Sequence, residues 1–148
     1  MVRNKIAKFT YTCFYIGYLP LAPGTWASLA ALGVYYLLRN HPLIYVVLTL
    51  LAIILGFWSS SIGEKELGRK DPPEVVIDEF SSQLLVFVFI PFNLLNLCLG
   101  FILFRAFDIF KIPPVKKLER LPRGWGIMLD DIAVAIFVNI ILKLTTFL

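Results

Sequence analysis

The stretch Leu84-Leu-Val-Phe-Val-Phe-Ile90-Pro91-Phe92-Asn93-Leu-Leu-Asn96-Leu-Cys98-Leu-Gly-Phe-Ile-Leu-Phe104 decides the fold. Its 21 residues are almost all apolar, and about 20 such residues cross a hydrocarbon core as one helix. Its middle, however, reads Ile90-Pro91-Phe92-Asn93 with Asn96 following. Proline lacks the N–H that a helix interior needs, and Asn beside it is turn chemistry. The alternative is a hairpin, with one helix from about Glu74 to Ile90 and another from about Asn93 to Phe110.

Charge placement chooses between them. If the stretch is a hairpin, segments 1–25, 59–83 and 104–131 share one face. That face then carries twelve of the fourteen lysines and arginines and all ten carboxylates. A single span would move the bases of 104–131 to the other side and erase the bias. The positive-inside rule therefore predicts the hairpin, with the charged face cytoplasmic. Three further apolar blocks complete the pattern, Trp26–Leu38, Leu43–Trp58 and Ile132–Leu142, the first two joined by the polar turn Arg39-Asn40-His41-Pro42. The expected architecture is all-α: a compact helical integral membrane protein. About five short helices form two hairpins plus a C-terminal helix.

Composition agrees. Of 148 residues 59% are apolar and 16% charged, with mean hydropathy +0.81, against about 45–50% apolar and about 25% charged in soluble domains. This excludes a disordered chain and argues against a nucleic-acid partner despite a pI near 9.2. One domain, 1–148, accommodates the length. Arg3, Lys5 and Lys8 precede an aromatic stretch that Thr10 and Thr12 interrupt. It reads as an amphipathic N-terminal arm on the membrane surface rather than a cleaved signal. Cys13 and Cys98 have neither metal nor redox spacing and read as packing residues. The loops fall at about Gly63–Pro73 and at Ile112–Gly126.

Four constellations carry possible chemistry. Asp78 and Glu79 lie in Glu74-Val-Val-Ile-Asp-Glu-Phe-Ser-Ser-Gln, where Glu74, Asp78 and Ser81 are spaced to share a helical face. Arg105, Asp108 and Lys111 form a column at spacings of three. Asp130 and Asp131 open the last apolar run. Pro23 and Gly24, followed by Thr25 and Ser28, begin a helix whose free N–H groups could hold an anion. Each has a bland alternative: a solvated loop end, a surface ion pair, acids at a helix start, and Thr25 as an ordinary N-cap. Acids converging where spans meet the surface are costly unless paired, which favours a site. Clustered carboxylates and hydroxyls suit Mg²⁺, which bridges phosphate oxygens, and Arg105 and Lys111 would neutralise the remaining charge. Other phosphatase chemistries lack their parts. Cys98 and Arg105 have six residues between them where a cysteine phosphatase needs five, and His41 is the only histidine.

These residues resemble the phosphatidylglycerophosphatase A family of bacterial membrane enzymes. The resemblance runs from about Gly17 to Ala135. It rests on Gly17-Tyr-Leu-Pro-Leu-Ala-Pro23-Gly24-Thr25-Trp-Ala-Ser28, on Val76-Ile-Asp78-Glu79, and on Phe104-Arg105-Ala-Phe-Asp108-Ile-Phe-Lys111 continuing to Gly126-Ile-Met-Leu-Asp130-Asp131. It implies an all-α fold and Mg²⁺-dependent hydrolysis of phosphatidylglycerophosphate to phosphatidylglycerol and phosphate, in phospholipid biosynthesis. The chain departs from the family's pattern at Ser81 and Ser82 (usually a small residue and Gly), Ala27, Ile112, Glu119 and Trp125.

The site residues expected are Asp78, Glu79, Asp108, Asp130 and Asp131, as metal ligands and catalytic acids. Arg105, Lys111, Gly24, Thr25 and Ser28 would bind phosphate. The partner is a membrane lipid, and the location is the inner (cytoplasmic) membrane, multi-pass, with the site facing the cytoplasm. Two alternatives stay open: a membrane cation-binding or transport protein that is not an enzyme, and a phosphatase for another lipid phosphate. Transport is disfavoured because no carboxylate lies near a span centre.

Overall fold

A computed structural model describes residues 2–110 and 115–147. In it the decisive stretch is broken. Helix α4 covers Ile77–Val86 and helix α5 covers Leu94–Phe110. Between them Phe89 takes a left-handed backbone (φ 59°), and Asn93 starts α5 as a true N-cap, its Oδ1 accepting the Asn96 N–H at 2.7 Å. The remaining helices are α1 (Val2–Tyr11), α2 (Pro23–Leu38), α3 (Pro42–Leu67) and α6 (Trp125–Phe147), with 3-10 turns at Ile16–Tyr18 and Val115–Arg120. No strand occurs among the described residues. The two hairpins, the C-terminal helix and the N-terminal arm are all present.

Helix α4 has only ten residues, about 15 Å, and its last residues Leu84 and Val86 are fully buried. The last carbonyls of a helix lack intrahelical partners and, with those of the turn, take donors from elsewhere. Four other helices provide them. Tyr45 of α3 donates its hydroxyl to Leu84 O at 2.6 Å, and Tyr35 of α2 to Ile90 O at 2.9 Å. Asn139 of α6 donates through Nδ2 to both Val86 O (2.8 Å) and Val88 O (2.9 Å). Asn96 of α5 reaches Pro91 O at 3.0 Å.

The other end of α4 departs from expectation. The helix starts at Ile77 rather than near Glu74, because the Val76 N–H is taken by Tyr11 O of α1 at 2.8 Å and Glu74 pairs with Arg69 (2.6 Å). Glu74 therefore lies off the face it was expected to share with Asp78 and Ser81. The arm is docked on the protein: Ala7 and Tyr11 of α1 are fully buried, and Tyr11 sits with Val75 against Gly63 of α3. Helix α3 continues nine residues past Trp58 to Leu67 and stops at left-handed Gly68 (φ 66°), so the loop begins later than Gly63. Cys13 is buried as expected, but Cys98 faces outward from α5.

Helices α2 and α4 run parallel. Gly24 lies against Glu79 near their starts, and Tyr35 meets Ile90 further along. The outer faces are apolar, with Leu43, Val47, Leu51 and Ile54 of α3, Leu95 and Ile102 of α5, and Phe137 and Ile140 of α6 all exposed. One helix among those described, α3, is long and apolar enough to cross a membrane.

Asn139→Leu removes both donors to the α4–α5 turn while keeping volume. Two part-buried carbonyls left without these donors cost together about 1–3 kcal/mol, so the variant's thermal midpoint in detergent is expected to fall by several degrees. A midpoint equal to wild type would refute this anchoring role.

Candidate active site

Two helices bring three carboxylates together. Asp78 and Glu79 occupy the first turn of α4, and Asp131 the second turn of α6, just ahead of the apolar run from Ile132. Because α6 begins at Trp125, Asp130 and Asp131 stand inside the helix rather than at its N-terminus. One oxygen from each of Asp78, Glu79 and Asp131 lies within 4.8 Å of the others. Asp78 is 5% exposed and Asp131 3%, and the Glu79 side chain is 18% exposed, opening the cluster on one side.

Such a cluster is electrostatically unfavourable on its own. Burial, the largest influence, pushes all three carboxyls above their ordinary range. Asp78 is raised further by Glu79 and then Asp131, and Asp131 by Asp108, Asp130 and Glu79. For Glu79, an Asp78 hydrogen bond and the Arg105 charge oppose burial and Asp108, and the carboxyl settles at about 7.

Asp78 Oδ1, Glu79 Oε2 and Asp131 Oδ2 are buried without a hydrogen-bond partner. Three mutually repelling carboxylates at this spacing, each with one partnerless oxygen, fit a divalent cation. With oxygen donors and no histidine or thiolate among them, the cluster suits a hard ion.

The other expected residues surround this cluster. Asp108 holds Arg105, Nη1 to Oδ2 at 2.7 Å, and the same Nη1 lies 4.0 Å from Glu79 Oε1. Arg105 Nε is buried without a partner, a donor left over for an anion. Asp130 is buried and its Oδ1 accepts the Asp131 N–H at 3.0 Å, which fits an orienting role beside the cluster.

The start of α2 differs from expectation. Its N-cap is Ala22, not Thr25. The Thr25 and Trp26 N–H groups are bonded to Ala22 O at 3.0 and 3.2 Å, so they are not free for a phosphate. Gly24 contributes space: a Cβ there would lie 2.0 Å from Glu79 Oε1. Ser28, one turn on, is fully buried. Lys111 lies outside the described residues.

Two features escaped the sequence reading. One is the steric role of Gly24. The other is Gln83, whose two amide atoms are buried without a partner, as are the hydroxyls of Ser28 and Ser82. Their only sequence signal is polarity inside otherwise apolar helices.

A buried acidic cluster with an arginine at its edge, at one end of a helical body with an apolar exterior, is the equipment of a phosphatase. Sequence comparison gives the same class. The family model for phosphatidylglycerophosphatase A matches residues 9–146. Proteins named phosphatidylglycerophosphatase A are 36% identical over 129 residues in Haemophilus influenzae (84% of this chain, 79% of that protein) and 32% over 123 residues in Escherichia coli K12 (81% and 72%). A Bacteroides thetaiotaomicron protein with the provisional name phosphatidylinositol-3-phosphatase is 32% identical over 135 residues (85% and 84%). No solved structure matches the chain. The chain belongs to the phosphatidylglycerophosphatase A family.

Two expectations follow from the geometry. Raised carboxyl pKa values mean that the fold holds protons which the unfolded chain releases, so stability is greatest below the ordinary carboxyl range and is lost as pH rises, through about 7 for Glu79. Metal-free protein should melt lower at pH 8 than at pH 5.5, with Asp78→Asn narrowing the difference; a midpoint that rises over this interval would contradict it. Gly24→Ala displaces the Glu79 carboxylate. It should weaken divalent-cation binding, read by calorimetry, while shifting the metal-free melting midpoint by only a few degrees.

Proposed function

We propose that the protein hydrolyses phosphatidylglycerophosphate to phosphatidylglycerol and inorganic phosphate, with Mg²⁺, at the cytoplasmic surface of the membrane. The observation that carries this reading is the convergence of three buried carboxylates, each with a partnerless oxygen, beside Arg105, in a chain of this family. Asp78, Glu79 and Asp131 would hold the ion through one oxygen each, with Asp108 and Asp130 orienting the neighbouring groups. When bound, Mg²⁺ supplies positive charge to phosphate oxygens and lowers the pKa of water.

The remaining work falls to this chain's residues. Arg105, held by Asp108, would give its spare donor to a phosphate oxygen, and Lys111 and the Thr25 hydroxyl would complete the anion site. In the reaction a water oxygen bonds to phosphorus while the bond from phosphorus to the terminal glycerol oxygen breaks. The attacking water gives up one proton, and the leaving glycerol oxygen takes one up to become a hydroxyl. Direct attack by water is favoured because no aspartate sits in an aspartyl-phosphatase motif. The apolar outer faces of α3, α5 and α6 would lie against lipid, several helices crossing the membrane, so the headgroup arrives at the level of the acids.

A second substrate reading, another lipid phosphate monoester, is favoured by the name of the Bacteroides relative. The same assay separates them: phosphate release by detergent-purified protein from phosphatidylglycerophosphate, phosphatidylinositol 3-phosphate and phosphatidic acid, with Mg²⁺ and with EDTA. Preference for the first lipid, lost in EDTA, is expected. Asp78→Asn and Asp131→Asn should each lower kcat by at least about a hundredfold, since a ligand's loss removes several kcal/mol of charge stabilisation. Undiminished release in EDTA would overturn the metal assignment.

A further inference from the structure

Beneath the carboxylates lies a second polar layer. Ser82 follows Asp78 by one turn of α4, and Gln83 follows Glu79 in the same way, so each continues the stripe of the acid above it, about 6 Å deeper. Ser28 follows Gly24 by one turn of α2. Because α2 and α4 run parallel with Gly24 beside Glu79 and Tyr35 beside Ile90, Ser28 stands level with Gln83. All three residues have no exposed surface. Ser28 Oγ, Ser82 Oγ and both amide atoms of Gln83 have no hydrogen-bond partner among the described residues.

Ser59 and Ser60 of α3 are also buried without a partner, but other buried hydroxyls find a backbone carbonyl. Thr49 bonds Tyr45 O at 2.9 Å, and Ser81 bonds Asp78 O at 3.3 Å, as helical hydroxyls commonly do. Burying a polar group without a partner is unfavourable, so four such atoms on these facing stripes call for a ligand that the protein itself does not supply.

We propose that Ser28, Ser82 and Gln83 form a polar floor that hydrogen-bonds the water shell of a divalent cation held by Asp78, Glu79 and Asp131. This rests on the metal reading above. Mg²⁺ takes six ligands and keeps several of them as water. Three carboxylate oxygens leave positions to fill, and a lipid phosphate would enter from the side where Glu79 is partly exposed. Waters on the closed side donate hydrogen bonds and require acceptors there. The two serine oxygens and Gln83 Oε1 are three such acceptors, and Gln83 Nε2 remains to donate to a carboxylate or water. These are positioning residues, not ligands.

The test is calorimetric titration of the full-length, detergent-purified protein with Mg²⁺ and separately with Ca²⁺, without substrate. Wild type would be compared with Ser82→Ala, Ser28→Ala and Gln83→Leu, with melting curves to confirm folding. Loss of groups behind a metal's first ligands weakens affinity about 10–100-fold, and that loss is expected for Mg²⁺ in Ser82→Ala and Gln83→Leu. Ca²⁺ gives up its waters more readily, so its affinity should fall less and the Mg²⁺/Ca²⁺ preference should drop. Wild-type Mg²⁺ affinity in folded variants, or equal losses for both ions, would overturn the floor alone. No Mg²⁺ binding by wild type would overturn the metal reading and the floor with it.

Discussion

The structure depends on how the buried end of α4 is satisfied. A short helix that stops within the bundle leaves its last carbonyls without intrahelical partners. Here the Leu84, Val86, Val88, Ile90 and Pro91 carbonyls receive donors from Tyr45, Asn139, Tyr35 and Asn96, which belong to α3, α6, α2 and α5. Every other long helix is thereby tied to one short one. Stacking of Tyr35 on Phe87, with ring centroids 4.5 Å apart, packs the same region. Hydrogen bonds are directional where apolar packing is not. This set fixes the depth of α4, and therefore the height at which Asp78 and Glu79 emerge.

The upper end of α4 is held with equal economy. Tyr11 O takes the Val76 N–H, Arg69 holds Glu74, and Gly17 lets the backbone at Glu74 approach so closely that a Cβ would lie 2.1 Å from its carbonyl oxygen. The N-terminal helix thus acts as a clamp that sets where α4 begins. Moving that start by one residue would rotate Asp78 and Glu79 by about 100° around the helix axis and disperse the cluster.

Function and stability pull against each other at this cluster. Three carboxylates desolvated together, with Asp108 and Asp130 nearby, raise one another's pKa values. Arg105 offsets only part of that, since Asp108 already engages it at 2.7 Å. The rest of the molecule supplies the rigidity that keeps such groups close. Gly24 shows how narrow the tolerance is, because α2 can approach Glu79 only without a side chain there.

Much of this was legible in the residues themselves. Pro91, Asn93 and the one-sided charges imply a helical hairpin, because a missing N–H, a capping side chain and the cost of moving charge across lipid are local properties. Asp78, Glu79 and Asp131 stood out for the same reason, being acids at the edges of apolar runs. What stayed hidden depends on contacts between distant segments. Glu74 left its expected helical face because Tyr11 and Arg69, from other parts of the chain, took up its surroundings. The Thr25 and Trp26 N–H groups are bonded to Ala22 because the true start of α2 lies there. Asp78, Glu79 and Asp131 were separated from Asp108 and Asp130 only by the three-dimensional meeting of α4, α5 and α6. The polar floor of Ser28, Ser82 and Gln83 exists only where parallel helices bring equal heights together. Sequence spacing records which face of its own helix a residue occupies, but only packing decides what that face meets.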